Sequence, residues 1–338
     1  MTCPFLPTRR IGDRPVQELV VHAMRTADGA VVELEEIGTF PIAGNRAVAL
    51  GLLNDDSGKS TAGAKRNPLD AVRSDLRRAF APRKAALQAR RVIDRHVHRL
   101  RSSDDPESIE LVSKLFTPIA AEALLVSLGL EDEALEHETV TFFEQMQAEA
   151  MKSLLSPGLL VLARRIVTSS CVTPGGFLEN QQLIRGRSTD DLSELVVLLL
   201  MAGVEPVANL TAMTAHTLLS EPRYPTPQAA YDHVVREDSP IYPGLYRTSK
   251  QALSINGHDH PAGTLFFVPV VATDVSERHF TFGAGPRRCV GQALAEKLVL
   301  GTVHALVQMG VDRVRECSWR AQLPRGLRSL HCSFADGR

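Results

Sequence analysis

One stretch limits what this chain can fold into more than any other: His279-Phe280-Thr281-Phe282-Gly283-Ala284-Gly285-Pro286-Arg287-Arg288-Cys289-Val290-Gly291, followed by an amphipathic run from Gln292 to Met309. Cys289 stands in a glycine-bounded loop just before a segment of helical period, so the amides of the first helical turn point back towards it. That placement lowers a thiol's pKa and favours the thiolate. A thiolate is in turn a ligand for a soft or borderline metal. The competing reading is a surface loop with a buried structural cysteine.

The spacing is Phe-x-x-Gly-x-Arg-x-Cys-x-Gly with every fixed position filled. Here the chain resembles the cytochrome P450 family, whose signature this is. The resemblance implies haem b (iron protoporphyrin IX) with Cys289 as its proximal thiolate, a ligand that pushes electron density onto iron. It further implies that Gly285 and Gly291 let backbone pass close to the porphyrin and the sulfur. Arg287 would pair with a haem propionate, His279 would meet a propionate, and Phe282 would keep water off the sulfur.

Lys+Arg number 38 against Asp+Glu 39. This balance points to neither a nucleic-acid polycation nor an acidic tail. The cysteines Cys3, Cys171, Cys289, Cys317 and Cys332 show no paired spacing, which fits a reducing, cytoplasmic compartment. Met1 to Asp13 carries prolines and arginines with no apolar core, so it reads as neither signal peptide nor membrane anchor. The longest apolar run, Leu195 to Met201, is too short to span a bilayer. A soluble protein of the bacterial type is the expectation, with no nucleic-acid or membrane partner.

Taken in order, Pro15 to Arg25 has helical spacing, Ala30 to Phe40 turns β-like, Ala47 to Leu53 is a short helical or strand-end run, and Asn54 to Asn67 is a polar loop. Helices are predicted over Leu69 to Phe80, Arg83 to Arg101, Ser108 to Gly129, Glu133 to Met151 and Leu159 to Thr168. Val72-Arg73 and Phe80 resemble the family's helix over the proximal face, which makes Arg73 a propionate candidate, although Leu69 stands where the family often has a histidine. Arg77, Arg78, Arg83, Lys84, Arg90 and Arg91 form a basic face with two readings, a docking surface for an acidic electron donor such as a ferredoxin or a solvated helix surface.

Ser188-Thr189-Asp190-Asp191 starts a further helix, Leu192 to Leu219, apolar nearly all round through Leu200 as a central helix must be. It contains Ala202-Gly203-Val204-Glu205-Pro206-Val207, which resembles the family's distal-face text Ala-Gly-x-acid-Thr-Thr. Ala202, Gly203 and Glu205 match and imply the haem-facing turn. Pro206 and Val207 replace the alcohols, and neither side chain can donate a hydrogen bond. Pro206 also deprives the Ala202 carbonyl of its helical partner. Glu205 becomes the one ionisable group expected above the haem, where burial would raise its pKa and make it a proton donor or an amine-binding group. The competing reading turns it outward to a basic partner.

His233-x-x-Arg236 resembles the family's Glu-x-x-Arg with the acid replaced. Tyr242 to Arg247 and Gln251 to Thr264 resemble the small sheet beside haem, with Arg247 a further propionate candidate, and only a short connection replaces the family's meander between Leu265 and His279. His258-Asp259-His260 has metal-ligand residue types but reads as a solvated turn. His96 and His98 fall on different helix faces, which argues against a shared ion. Cys317 and Cys332 read as small buried apolar residues.

The expected fold is mainly α with a small β region, of the haem-thiolate type and trimmed at the N-terminus and meander. It is expected as one domain over residues 1–338, with a divergent N-terminal region over residues 1–66 and a helical core over residues 67–338 that carries the haem loop 279–291. The expected function is haem-dependent transformation of a small organic molecule in bacterial specialised metabolism. Loss of the distal alcohol favours peroxide-dependent or substrate-assisted oxidation, or rearrangement without oxygen. The alternatives are a conventional ferredoxin-dependent mono-oxygenase and a non-catalytic helper of a partner enzyme. Trimmed regions would leave core surface for a second copy to cover, so a homodimer is expected.

Overall fold

The computed structural model describes residues 31–34, 38–43, 46–54, 68–101, 108–148, 157–241, 244–255, 257–270, 279–320 and 326–335. The expected helix Pro15 to Arg25 and the loop from residue 55 to Asn67 lie outside them. The chain divides into two units. The first comprises Met1–Asn67, Asp232–Cys289 and Arg320–Arg325, and the second Pro68–Tyr231, Val290–Trp319 and Gly326–Arg338.

In the first unit, β1 (Val31–Leu34) and β2 (Gly38–Pro41) form an antiparallel pair and α1 spans Arg46–Asn54. β4 (Gly244–Thr248) pairs antiparallel with β7 (Leu265–Pro269), and β5 (Leu253–Ile255) with β6 (His258–His260). Ile42, Ala49, Leu52, Leu53, Phe266, Phe267, Val268 and Phe280 make its core. β1, β2 and α1 lie in the β-like and short helical segments that the sequence pattern marks, and β4, β5 and β6 in its expected small sheet, whereas β7 is a strand within the stretch read as a short connection. Three buried residues in a row on β7, Phe266-Phe267-Val268, show that both faces of that strand are covered.

The second unit is helical around α4 (Thr117–Leu128), in which nearly every residue is buried. A helix apolar on all sides has to lie inside. It ends on Gly129 in the left-handed conformation at φ 86°, whose N–H returns to the Leu125 and Val126 carbonyls. Around it lie α2 (Pro68–Ala79), α3 (Pro82–Arg101), α5 (Glu133–Ala148), α6 (Pro157–Thr168), α7 (Thr189–Gly203), α8 (Glu205–Ser220) and α10 (Gln292–Gln308), while α9 (Pro227–Glu237) crosses the division between the units. Ser188 caps α7 by accepting the Asp191 N–H at 3.1 Å. Asp132 caps α5 by accepting the Ala134 and Leu135 amides, which together with Ser169 hold its carboxyl below the usual range. A sheet of order β3-β9-β8 (Ile109–Glu110, Leu327–Phe334, Val311–Trp319) completes the unit.

Two predicted helices are corrected. Ser108 to Gly129 is not helical throughout. Ile109 and Glu110 pair with β9, and the Glu110 carboxylate then accepts the amides of Val112 and Ser113 at 2.9 and 2.7 Å, starting a π-helical turn, Val112–Phe116, that leads into α4. Leu192 to Leu219 is not one helix either. It breaks at Val204, because Pro206 fits the first turn of a helix and not an interior. Thr189–Ser220 is long and apolar enough to cross a membrane by composition, with a hydropathy of 1.9, but 67% of that window is buried, as suits a core element.

Candidate functional site

The signature loop belongs to the first unit up to Cys289. The Phe280 amide donates to the Val270 carbonyl at 2.7 Å, which ties the loop to the end of β7. Gly283 then donates back to Phe280 at 2.7 Å, a short 3-10 turn spans Gly285–Arg287, and the Cys289 amide closes the loop on the Phe282 carbonyl at 2.8 Å. Thr281 anchors the loop sideways by donating to the Val235 carbonyl at 2.5 Å. The outcome is an exposed thiol at the foot of a loop fixed by backbone hydrogen bonds.

Gly285 lies at φ 65°, and a Cβ there would meet Asn54 and come 2.7 Å from the Leu53 carbonyl oxygen on α1. The structural demand for glycine at 285 is therefore set by α1. Phe282 is half-buried, with its ring centroid 6.3 Å from that of His279 at an interplanar angle of 65°. Arg247 lies on β4 opposite Phe266 and donates to the Tyr246 carbonyl at 2.7 Å, while Leu245 of the same strand faces Gly283. Nε of Arg247, Nε of Arg287 and Nδ1 of His279 are all removed from solvent. One unit thus brings together Cys289, Phe282, Gly285, Arg287 and His279 on one loop, with the strand of Arg247 against it.

The remaining sequence-predicted residues lie in the second unit. Arg73 on α2 is half-buried, with its Nε 4.0 Å from the Asp70 carboxylate. Gly291 is the N-cap of α10, with φ −90° and ψ 5°. At the α7–α8 break Ala202 is exposed, whereas Glu205 is only 5% exposed. A Cβ at Gly203 would come 3.1 Å from Leu124 of α4, so packing against that helix restricts this position.

The secondary constellations resolve simply. His258, Asp259 and His260 lie along β6, the first two exposed and the third against the Phe266 ring at 5.1 Å. His233 pairs with Glu237 on its own helix at 3.4 Å. His96 is buried and His98 exposed. On the basic face, Arg78 pairs with Asp75, Arg90 with Asp94 at 3.8 Å and Arg91 with Glu131 at 2.8 Å, so much of its charge is neutralised within the unit. Cys332 is buried as expected, which pushes its thiol up to about 12, whereas Cys317 is only half-buried because β8 is a largely exposed strand.

Sequence reasoning missed a buried cluster in the second unit. Glu122 on α4 accepts from Arg95 at 2.5 Å and meets His96 at 2.8 Å, while Glu136 on α5 lies 3.5 Å from His96 and 3.6 Å from Arg99. The signal was a lone glutamate within Ile119-Ala120-Ala121-Glu122-Ala123-Leu124. Three ligand-type atoms of His96, Glu122 and Glu136 lie within 4.8 Å of one another. Arg95 and Arg99 already balance the two carboxylates, so a divalent cation would add charge to a neutral set.

No family model matches the chain, and no curated protein matches it. Solved structures do. GfsF aligns with a TM-score of 0.78 at 17% identity, covering 98% of this chain and 100% of that one. Cytochrome P450 MoxA from Nonomuraea recticatena aligns at 0.74 and 18% identity, covering 98% and 99%. The chain has the cytochrome P450 fold. A mutant of P450 EryK in complex with erythromycin B aligns at 0.73 and 18% identity, covering 97% and 98%. The mainly α architecture with small sheets expected from the sequence is therefore the observed P450 architecture, and it extends over almost the whole chain.

Proposed function

We propose that this protein is a haem-thiolate enzyme that transforms a small organic molecule, with Cys289 as the iron ligand. The observation that carries the reading is the exposed Cys289 thiol, fixed by its own amide to Phe282 in a chain of P450 fold. The donor set suits haem b: one accessible sulfur for a borderline metal, and Arg247, Arg287 and His279 in the same unit for carboxylates. Bound there, haem supplies redox and Lewis-acid chemistry. With haem bound, Phe282 would limit water at the sulfur, and Arg247 and Arg287 would hold the propionates by charge-assisted hydrogen bonds. In the second unit, Arg73, Ala202, Gly203 and Gly291 take the cofactor-binding roles that the sequence resemblance gives them.

Glu205 is the proton-holding group of this proposal. It is buried at the start of α8, and the next two side chains, Pro206 and Val207, cannot pass a proton on. That arrangement favours peroxide-dependent or substrate-assisted oxidation, or rearrangement without oxygen, over conventional mono-oxygenation. The substrate class rests on likeness: a mutant of P450 EryK is found in complex with erythromycin B. A ferredoxin-type donor is the partner for any turnover that consumes electrons, and bacterial specialised metabolism is the proposed setting.

The test is the optical spectrum of the dithionite-reduced, carbon-monoxide-bound protein. A thiolate-shifted Soret band is expected, and its absence in haem-loaded protein removes the reading. Turnover with peroxide, with a ferredoxin system and with neither then separates the chemistries.

A further inference from the structure

Asn209 lies one turn beyond Glu205 on α8, and its side chain is 0% exposed. Neither its Oδ1 nor its Nδ2 has a hydrogen-bond partner among the described residues. An asparagine amide carries two donors and an acceptor. Native interiors leave very few such atoms without a partner, and a buried one points to something bound there. The threonines further along α8 satisfy themselves locally, Thr211 on the Val207 carbonyl at 2.8 Å and Thr214 on the Leu210 carbonyl at 2.7 Å. Asn209 does not.

Its placement is enforced from the other side. A Cβ at Gly326, just ahead of β9, would collide with Cγ and Oδ1 of Asn209 and come 2.9 Å from Nδ2. A point close to all three atoms lies over the flat of the amide. The Gly326 backbone therefore covers that face, and the polar edges of the amide are directed elsewhere. The same core holds two further fully buried hydroxyls without partners among the described residues, Thr117 at the start of α4 and Thr302 on α10, and both helices pack against α8. Buried polar groups of this kind are what an internal water uses as its partners.

We propose that Asn209 holds an internal water in the core of the second unit, and that through it Asn209 is a positioning residue for the proton on Glu205. Residues four apart on a helix lie on one face, so the Glu205 carboxyl and the Asn209 amide project from the same side of α8. A water held by Asn209 does here what a hydroxyl at 206 or 207 cannot. The catalytic half of this inference rests on the haem-thiolate reading, whereas the water site does not.

A crystal structure of the protein and kinetics of an Asn209→Leu variant test both halves. The expected structure shows a water hydrogen-bonded to the Asn209 amide. An amide that is dry or bonded to protein overturns the site, whatever the variant does. In Asn209→Leu the water loses its amide partner, so the melting temperature is expected to fall modestly, whereas a level or higher one would mean that the amide was unsatisfied in wild type and would count against the water. The reduced carbon-monoxide spectrum is expected to be unchanged. Consumption of hydrogen peroxide is expected to slow by about tenfold with an altered solvent deuterium isotope effect, in keeping with a disturbed acid–base step. A rate and isotope effect equal to wild type would overturn the positioning role. If wild type itself lacks the thiolate spectrum, the haem reading and the positioning role fall together, and the crystal structure still decides the water.

Discussion

The amide of Cys289 donates to the carbonyl of Phe282 at 2.8 Å, so the loop that presents the thiol is closed by backbone and not by the sulfur. Replacing the exposed side chain should therefore separate ligand from scaffold. Cys289→Ala is expected to leave the stability of the haem-free protein within about 0.5 kcal/mol of wild type, as for other surface substitutions, and to abolish the thiolate-type spectrum. Urea denaturation and the carbon-monoxide spectrum measure the two effects. A variant that keeps the spectrum would show that another atom holds the iron.

Gly285 should be far less tolerant than Cys289. Alanine at φ 65° carries a conformational strain of about 1–3 kcal/mol, and its Cβ would also press on Leu53 and Asn54 of α1. Gly285→Ala is expected to destabilise the haem-free protein by at least about 2 kcal/mol by the same reasoning. Since the clash is with protein, the loss should be seen without cofactor. A haem-free Gly285→Ala as stable as wild type would return the glycine requirement to the porphyrin.

The His96–Glu122–Glu136 cluster makes two linked statements. Removing Glu122 leaves the buried His96 without this partner and frees the one-third-exposed Arg95 to turn to water, and Glu122→Ala is expected to cost about 3 kcal/mol. Glu136 behaves differently. Burial, and then the Glu122 charge, raise its carboxyl above the ordinary value of 4.5, against the pull of His96, Arg99 and Arg95. A carboxyl with a raised folded-state pKa stabilises the fold fully below its unfolded value, and this contribution is lost as pH climbs through the folded one. Wild type is thus expected to lose stability over the range just above pH 4.5, and Glu136→Gln to flatten that slope. Denaturation midpoints measured from acid to neutral pH decide it, and parallel curves would refute the assignment.

Arg91 and Glu131 form a two-pronged ion pair at 2.8 and 3.0 Å, but each side chain is about half exposed, at 53% and 49%. Solvent screening limits such a pair to less than about 1 kcal/mol. Arg91→Ala is therefore expected to shift stability only slightly, and less in high salt than in low. A loss as large as that of Glu122→Ala would show that the pair is more enclosed than its exposure indicates.

What the sequence discloses and what it hides divide along physical lines. The cysteine loop is legible because its residue types are fixed at fixed separations, and α2, α3, α5 and α6 because apolar residues recur with helical period. β8 and β9 were not anticipated: Val311-Asp312-Arg313-Val314-Arg315-Glu316 is charged on a largely exposed strand, so its alternation is weak. The π-helical turn before α4 depends on Glu110 reaching both local amides and the Leu330 amide 3.0 Å away, a long-range contact that no local pattern records. Glu122, Glu136 and Asn209 escaped notice for a related reason. Glu122 and Asn209 are lone polar residues in apolar stretches and Glu136 is one of several acids in a polar turn, so each shows its role only when the neighbouring helix supplies, or fails to supply, its partner.

Pro206 tests whether the missing alcohol shapes the chemistry. It is the second residue of α8, a position where proline is at home because a first-turn N–H needs no helical partner. Pro206→Thr gains back an N–H and loses the restraint that proline places on the unfolded chain, two small and opposed effects, so stability is expected to move by less than about 1 kcal/mol. The hydroxyl should have a larger effect on turnover. If its absence steers the enzyme away from conventional oxygen use, Pro206→Thr raises turnover with a ferredoxin system relative to turnover with hydrogen peroxide, both measured on one preparation. Since Glu205 stays in place beside it, the proton source is common to both assays and the ratio isolates the alcohol. An unchanged ratio in a well-folded variant would mean that the distal alcohol is not what sets the reaction, and would place that control in the substrate.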